Sequence, residues 1–247
     1  MQKLKPGTCE KQRYMKKKTR KKLLTRLRNI QITACFAIFG FTILQVVSLK
    51  FINPVLTPNV AWEWAESIYE NAPEKRPVYT WTDIEDISPH LRKAVLAAED
   101  QRFPSHSGFD LTEIRQALKT LVKKKKLRGA STISMQTARS GFWLSSRSLT
   151  RKAVEIYYTV LIELIWDKRR ILEMYLNTVD WGTGVTGAEA AARKYFSVSA
   201  KRLSASQAAL MTAILPNPHR WSPVRPSAYI KKRQIQIMAA MKKMPLL

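Results

Sequence analysis

From Asn29 to Leu49 the chain carries no charged side chain for 21 residues, and Lys50 closes the run. A helix of that length rises about 30 Å, the thickness of a bilayer's hydrocarbon core. Ile30, Ile32, Phe36, Ile38, Phe39, Phe41, Ile43 and Leu44 make the run apolar, tempered by Gln31, Thr33, Thr42, Gln45 and Ser48. The 28 residues before it hold twelve Lys and Arg and one acid, Glu10. Cations resist translocation, so this asymmetry predicts a cytoplasmic N-terminus and an exported remainder. The competing reading is a cleavable signal peptide. Against it, the basic region is long, the apolar run exceeds a typical h-region, and no small-x-small site precedes Asn53-Pro54. The expected organisation is a basic tail over 1–28, a single transmembrane helix over 29–50, a juxtamembrane linker over 51–87 and an exported domain over 88–247.

Export changes how the charge is read. The formal net charge is +25, and the 195 residues from Asn53 to Leu247 hold thirty Lys and Arg against seventeen acids. Such an excess suits an anionic partner. Outside the cytoplasm that partner is not nucleic acid, which leaves lipid head groups or a phosphorylated substrate. Cys9 and Cys35 both precede the exported part, so it holds no disulfide of its own and relies on packing.

Helical patterns dominate after Ser88, and the predicted class is mostly α. Ser88-Pro89 opens one helix with an N-cap residue and a proline at its first position. Leu111 to Val122 reads as a second. A long pattern starts at Thr150 and extends to Asn177, interrupted near Asp167-Lys168. Ala188 to Tyr195 and Ser204 to Leu215 supply two more, the latter with Ser204 and Gln207 spaced as a capping box. Pro77 to Trp81 is the main strand signal. Pro54 to Pro77 is expected to be a spacer whose Trp62, Trp64, Ile68 and Tyr69 suit a membrane interface or a core helix equally.

Four segments carry chemical interest. The first, Ala97 to Asp110, packs three acids, an arginine, a histidine, a glycine and two phenylalanines into fourteen residues. Its apolar lead-in places Glu99 and Asp100 at the end of a buried helix, where a carboxylate is either a cap or a proton-transfer group. The second, Arg128 to Arg139, sets Gly129, Ser131 and Thr132 before a helix, an N-terminus suited to an anion. Thr132, Gln136 and Arg139 share one face of that helix. In the third, Arg147, Arg151 and Lys152 crowd a helix start against its dipole, with Glu155 spaced to pair with Arg151. The fourth, with Gly182, Gly184 and Gly187, reads as scaffold. His90, His106 and His219 are far apart in sequence, so metal ligation is poorly supported.

The strings EDQRFPSHSGFD, GASTISMQTAR, RKAVEIYYTVLIELIWDKRRILEMYLN and GVTGAEAAARKYF resemble, in order, the motifs of the peptidoglycan glycosyltransferases of glycosyltransferase family 51. The similarity spans Ser88 to Pro218 and favours the monofunctional members over the longer class A penicillin-binding proteins. It implies a lysozyme-like, two-lobed helical domain with a cleft open to the bilayer. It also implies polymerisation of lipid II into β-1,4 glycan strands with release of undecaprenyl diphosphate, at the bacterial inner membrane, the catalytic domain being periplasmic.

Carried over by motif, the resemblance makes Glu99 the general base and Glu155 the second catalytic glutamate. Asp100, Phe103, His106, Ser131, Thr132, Gln136, Arg139, Arg151 and Lys152 fall on substrate-binding motif positions, and Arg147 on a basic residue near the diphosphate. Arg139 stands where the family often has lysine, Met135-Gln136 where it often has Gln-Gln, and Ser140 where asparagine is frequent. No cofactor is implied beyond stimulation by a divalent cation. The implied partners are lipid II, the nascent glycan, the bilayer and other cell-wall synthesis proteins.

The chemistry agrees with the residues. A sugar hydroxyl needs a base, and a diphosphate leaves once cations neutralise it, so a cationic wall replaces the general acid of a hydrolase. A lysozyme-like hydrolase or lytic transglycosylase is the enzyme alternative. A basic membrane-tethered scaffold is the non-enzymatic one.

Overall fold

The computed structural model describes residues 7–73, 76–124, 129–142 and 149–247. In chain order the elements are α1 (Gly7–Phe51), α2 (Pro58–Tyr69), β1 (Val78–Tyr79), α3 (Pro89–Glu99), α4 (Leu111–Lys124), α5 (Ile133–Phe142), α6 (Leu149–Ile165), α7 (Lys168–Thr178), β2 (Asp180–Gly182), β3 (Val185–Thr186), α8 (Ala188–Phe196), α9 (Ala205–Ile214) and α10 (Ala228–Met241). The mostly α expectation holds. The chain divides into two compact units, Met1–Ser48 and Leu49–Leu247.

Helix α1 begins at Gly7, within the basic tail, and runs through the uncharged stretch to Phe51. Within its stretch Lys22–Phe51 an 18-residue window reaches a mean hydropathy of 2.1, and the stretch is long and apolar enough to cross a membrane.

In the second unit, α3 packs on α9 and α10, while α5 packs on α6 and α7. Helix α9 explains why the first group forms. Ala208, Ala209, Met211, Ala213 and Ile214 are all buried, and a helix that is apolar all round has nowhere to go but the interior. The expected capping box starts it, with Ser204 and Gln207 each bonded to the other's backbone. Ser88 caps α3 by accepting from the His90 N–H, with Pro89 in the first turn. Asp167 caps α7 by accepting from the Arg170 N–H, which is where the long predicted helix breaks.

The glycine-rich segment is more than turns. β2 and β3 pair antiparallel, and β3 pairs parallel with β1, matching Val78 to Val185 and Tyr79 to Thr186. Two- and three-residue strands give no readable alternation, so they escape a periodicity search. Helix α10, for which no sequence signal was read, closes the fold against α3 and α9.

Candidate active site

Glu99 is the last residue of α3. Leu91, Ala94, Val95, Leu96 and Ala97 bury the helix and carry this carboxylate to the edge of a cleft of about 680 Å³. The cleft is lined by Glu99 and Asp100 from the end of α3, Arg102, Asp110 and Glu113 from the turn into α4, Ser131, Thr132 and Gln136 from α5 and the segment before it, and Pro216 and Arg233 from the C-terminal side.

The Glu99 side chain is only 16 % exposed. Its Oε2 accepts from Gln136 Nε2 at 3.1 Å, and its Oε1 faces Arg233 Nη2 at 4.0 Å. Tyr175, fully buried on α7, donates its hydroxyl to Gln136 Oε1 at 3.4 Å, which fixes the amide with its NH₂ toward the carboxylate. Burial pushes the Glu99 pKa above the usual carboxylate range. Asp100 adds to that push, while the Gln136 hydrogen bond and the charges of Arg233 and Arg139 only partly oppose it. The result is a carboxylate whose proton affinity is raised but whose position is held.

Asp100 points the other way. Both its oxygens lie 3.0 Å from His106 Nε2, and Oδ2 also accepts from the Ile133 N–H at 3.1 Å. Thr132 Oγ1 takes the Met135 N–H and donates to the Gly108 carbonyl at 2.6 Å. The start of α5 was expected to be open to an anion. Two of its free N–H groups are instead occupied by Asp100 and Thr132, so the helix start joins α3 to α5.

The loop between α3 and α4 is pinned from below. Phe103 is buried with the His106 ring edge-on to it at 6.1 Å, and Lys168 Nζ sits 4.5 Å over the Phe103 ring. That ammonium donates to the His106 carbonyl at 2.6 Å and to both Glu163 oxygens, and Ser134 also bonds Glu163. Gly108 has φ +85°, and a Cβ there would lie 2.8 Å from Thr159 Cγ2. Only glycine fits both the backbone and the contact. Arg102 grips Asp110 with two parallel bonds of 2.9 and 2.6 Å, and Asp110 also accepts the Thr112 and Glu113 N–H groups that begin α4.

Glu155 lies apart from this cleft lining. It is 2 % exposed on α6, and its Oε1 is 2.5 Å from Lys152 Nζ. This i,i+3 contact brings the ammonium across one turn to a buried oxygen. The other oxygen, Oε2, is buried and has no hydrogen-bond partner among the described residues. Arg151 is half-buried at the start of α6 and Arg139 half-buried in the last turn of α5. Arg147 lies outside the described residues. Among the described residues no three His, Cys, Asp or Glu side chains gather as a metal would require.

The structure therefore brings Glu99, Asp100, Ser131, Thr132 and Gln136 to one cleft, with Phe103 and His106 beneath its loop. Sequence reasoning missed Arg233, Tyr175, Lys168 and Glu163. Arg233 sits on the unread α10, 134 positions from Glu99, and no local pattern joins the two. Lys168 and Glu163 were hidden inside an amphipathic pattern that surface charges would also produce.

Comparison with known proteins gives the same direction. Residues 66–242 match the family model described as Transglycosylase. A biosynthetic peptidoglycan transglycosylase of Shewanella oneidensis is 45 % identical over 91 % of this chain and 93 % of its own length. One from Bacteroides thetaiotaomicron is 44 % identical over 91 % of this chain and 89 % of its own, and one from Chromohalobacter salexigens 46 % identical over 85 % and 90 %. With most of both chains covered at this identity, the protein belongs to the transglycosylase family and is an enzyme of glycosyl transfer.

Proposed function

We propose that this enzyme polymerises lipid II into peptidoglycan glycan strands, with Glu99 as general base. The observation that carries the reading is Glu99 itself: a held, largely buried carboxylate of raised pKa on the wall of a cleft. Glu99 removes the proton from the acceptor sugar's 4-hydroxyl as that oxygen attacks C1 of the donor. The new C1–O4 bond forms, the C1–O bond to the diphosphate breaks, and undecaprenyl diphosphate departs with the electron pair. Attack from the opposite face inverts an α-linked donor into a β-1,4 linkage.

A raised pKa suits this task, because a base works best when its pKa lies close to the working pH. Arg139, Arg147, Arg151 and Lys152 are assigned to the diphosphate, whose developing charge they neutralise without donating a proton. Glu155 holds Lys152 and so orders that wall. The reaction as written needs no cofactor, and a divalent cation that stimulates it would act on the diphosphate oxygens. Helix α1 anchors the enzyme in the bacterial inner membrane, its basic start cytoplasmic and the second unit periplasmic. Partners follow from the substrate: lipid II, the growing strand, the bilayer and other proteins of wall synthesis.

The test is purified protein with labelled lipid II. Polymer and free undecaprenyl diphosphate from the wild type, with almost none from Glu99→Gln, support the assignment; equal polymer from both overturns it. Finished glycan supplied alone separates transfer from lysis, since a hydrolase or lytic transglycosylase shortens it and this enzyme leaves it intact.

A further inference from the structure

Helix α2 buries one face and leaves a second, apolar one exposed. Val60 and Ser67 are buried at 1 % and 3 % exposure, and they lie on the same side of the helix. At 3.6 residues per turn, Ala61, Trp62, Ala65, Ile68 and Tyr69 fall within about one third of the circumference, on another side. All five are exposed, with Trp62 at 60 % and Tyr69 at 92 %. Glu63 and Glu66 border this arc on one edge, and Trp64 borders it on the other. A helix facing only water has no use for such an arc, and one facing only the core would bury it.

The chain leading to α2 also exposes apolar side chains. Phe51, Ile52, Val55 and Leu56 are each more than half exposed. This segment is held in place, because Arg170 donates to the Leu49 and Ile52 carbonyls at 2.8 and 3.2 Å and to Asn53 Oδ1 at 2.8 Å. Pro58, where α2 begins, lies seven positions beyond Phe51, where the apolar span ends. Fully extended, that stretch reaches about 24 Å. From Phe51 to Glu74 the sequence has no Lys or Arg, in a protein of net charge +25.

We propose that α2 is a second, interfacial membrane contact: its Trp62–Ile68–Tyr69 face inserts into the acyl boundary of the leaflet that α1 leaves. This rests on the reading of α1 as an anchor. Exposed Trp and Tyr beside the end of a span suit the interface, where amphipathic rings have one apolar and one hydrated end. With no cations on the face, insertion is driven by apolar area and not by anionic head groups. Helix α2 also packs on α5, the helix that presents Gln136 to Glu99, so the contact is coupled to one wall of the cleft.

Environment-sensitive probes on the full chain in vesicles test this. With Cys9→Ser, a nitrobenzoxadiazole label on the native Cys35 reports the span; with Cys9→Ser, Cys35→Ser and Ala65→Cys, the same label reports α2. In phosphatidylcholine vesicles both are expected to brighten severalfold and shift to the blue. The label at 65 should be quenched by a shallow lipid spin label, and adding phosphatidylglycerol or salt should change little. A bright Cys35 probe with a water-exposed probe at 65 overturns the proposal and spares the anchor. Two water-exposed probes overturn both. A signal at 65 that grows with protein-to-lipid ratio means that a second copy covers the face, which also overturns it. As a second readout, Trp62→Ser with Ile68→Ser and Tyr69→Ser should lower polymerisation severalfold in vesicles and leave it unchanged in detergent micelles; equal loss in both overturns the proposal.

Discussion

Glu99 and Asp110 are eleven residues apart, line the same cleft and are driven in opposite directions. Asp110 is the less exposed of the two side chains, 9 % against 16 %, yet its pKa falls below the usual range while that of Glu99 rises above it. Burial pushes both upward. At Asp110 the Glu113 N–H, both Arg102 bonds and charge, and the Thr112 N–H outweigh that push. At Glu99 one amide hydrogen bond and a guanidinium at 4.0 Å do not. What separates the structural acid from the reactive one here is the balance of desolvation and donors: Glu99 is strongly desolvated and short of donors, and Asp110 is saturated with them. A carboxylate saturated with donors cannot take up a proton readily; one left short of them can.

The largest expected effect falls on the unsaturated member. Glu99→Gln keeps the shape and the bond to Gln136 but removes the base, so polymerisation should fall by about 100-fold or more. Its thermal midpoint should hold or rise. A raised pKa means the folded state favours the protonated carboxyl, so ionised Glu99 opposes folding above that pKa, and the amide relieves this. A drop in the midpoint alongside the lost activity would make Glu99 a second Asp110.

Asp110→Ala should reverse the pattern. It strips two N-terminal N–H groups of α4 of their cap and leaves Arg102 without its partner, a loss of roughly 2–3 kcal/mol by analogy with caps and buried hydrogen bonds. Urea unfolding measures it. Below the melting range, residual activity should exceed that of Glu99→Gln.

The two acids also predict different pH limits. Polymerisation should fall as pH drops through the raised Glu99 pKa, above the ordinary glutamate value. Asp110's contribution to stability is present above its unfolded pKa and is lost only as pH falls through its depressed folded pKa. The expected outcome is an acidic window in which the enzyme is folded and inactive, checked by activity and circular dichroism over the same pH series. Arg233→Gln sharpens this: without the guanidinium the Glu99 carboxylate is harder to form, so the acid limb should move to higher pH with the fold unchanged. An unmoved limb would show that water screens the 4.0 Å pair completely.

How far this contrast was legible in the sequence depends on distance along the chain. Glu99 at the tip of a buried helix followed from five apolar residues before it and a proline-led start. The stop between α6 and α7 followed from Asp167. The partners that set each acid's behaviour divide differently. Those of Asp110 lie within eight residues, whereas those of Glu99 come from α5, α7 and α10. Local spacing cannot encode a contact that forms only when α10 closes on α3. The same limit applies to the Lys152–Glu155 contact, since several cation spacings near Glu155 suit a helix and packing decides.

The smallest effect tests whether Gln136 is aimed or merely near. Tyr175 donates to Gln136 Oε1 at a long 3.4 Å, so the bond is worth little by itself, on the order of 0.5–1 kcal/mol. Its value is directional, because an amide free to flip would turn its oxygen toward Glu99 and repel the carboxylate. Tyr175→Phe removes the hydroxyl and keeps the buried ring, so the fold should change little. Turnover should fall by roughly two- to fivefold, the rate equivalent of that energy. The acid limb should rise slightly, since a wandering amide stabilises the Glu99 carboxylate less. The limb carries the decision: a slower enzyme with an unmoved limb would mean that Tyr175 only packs, and that Glu99 holds Gln136 without help.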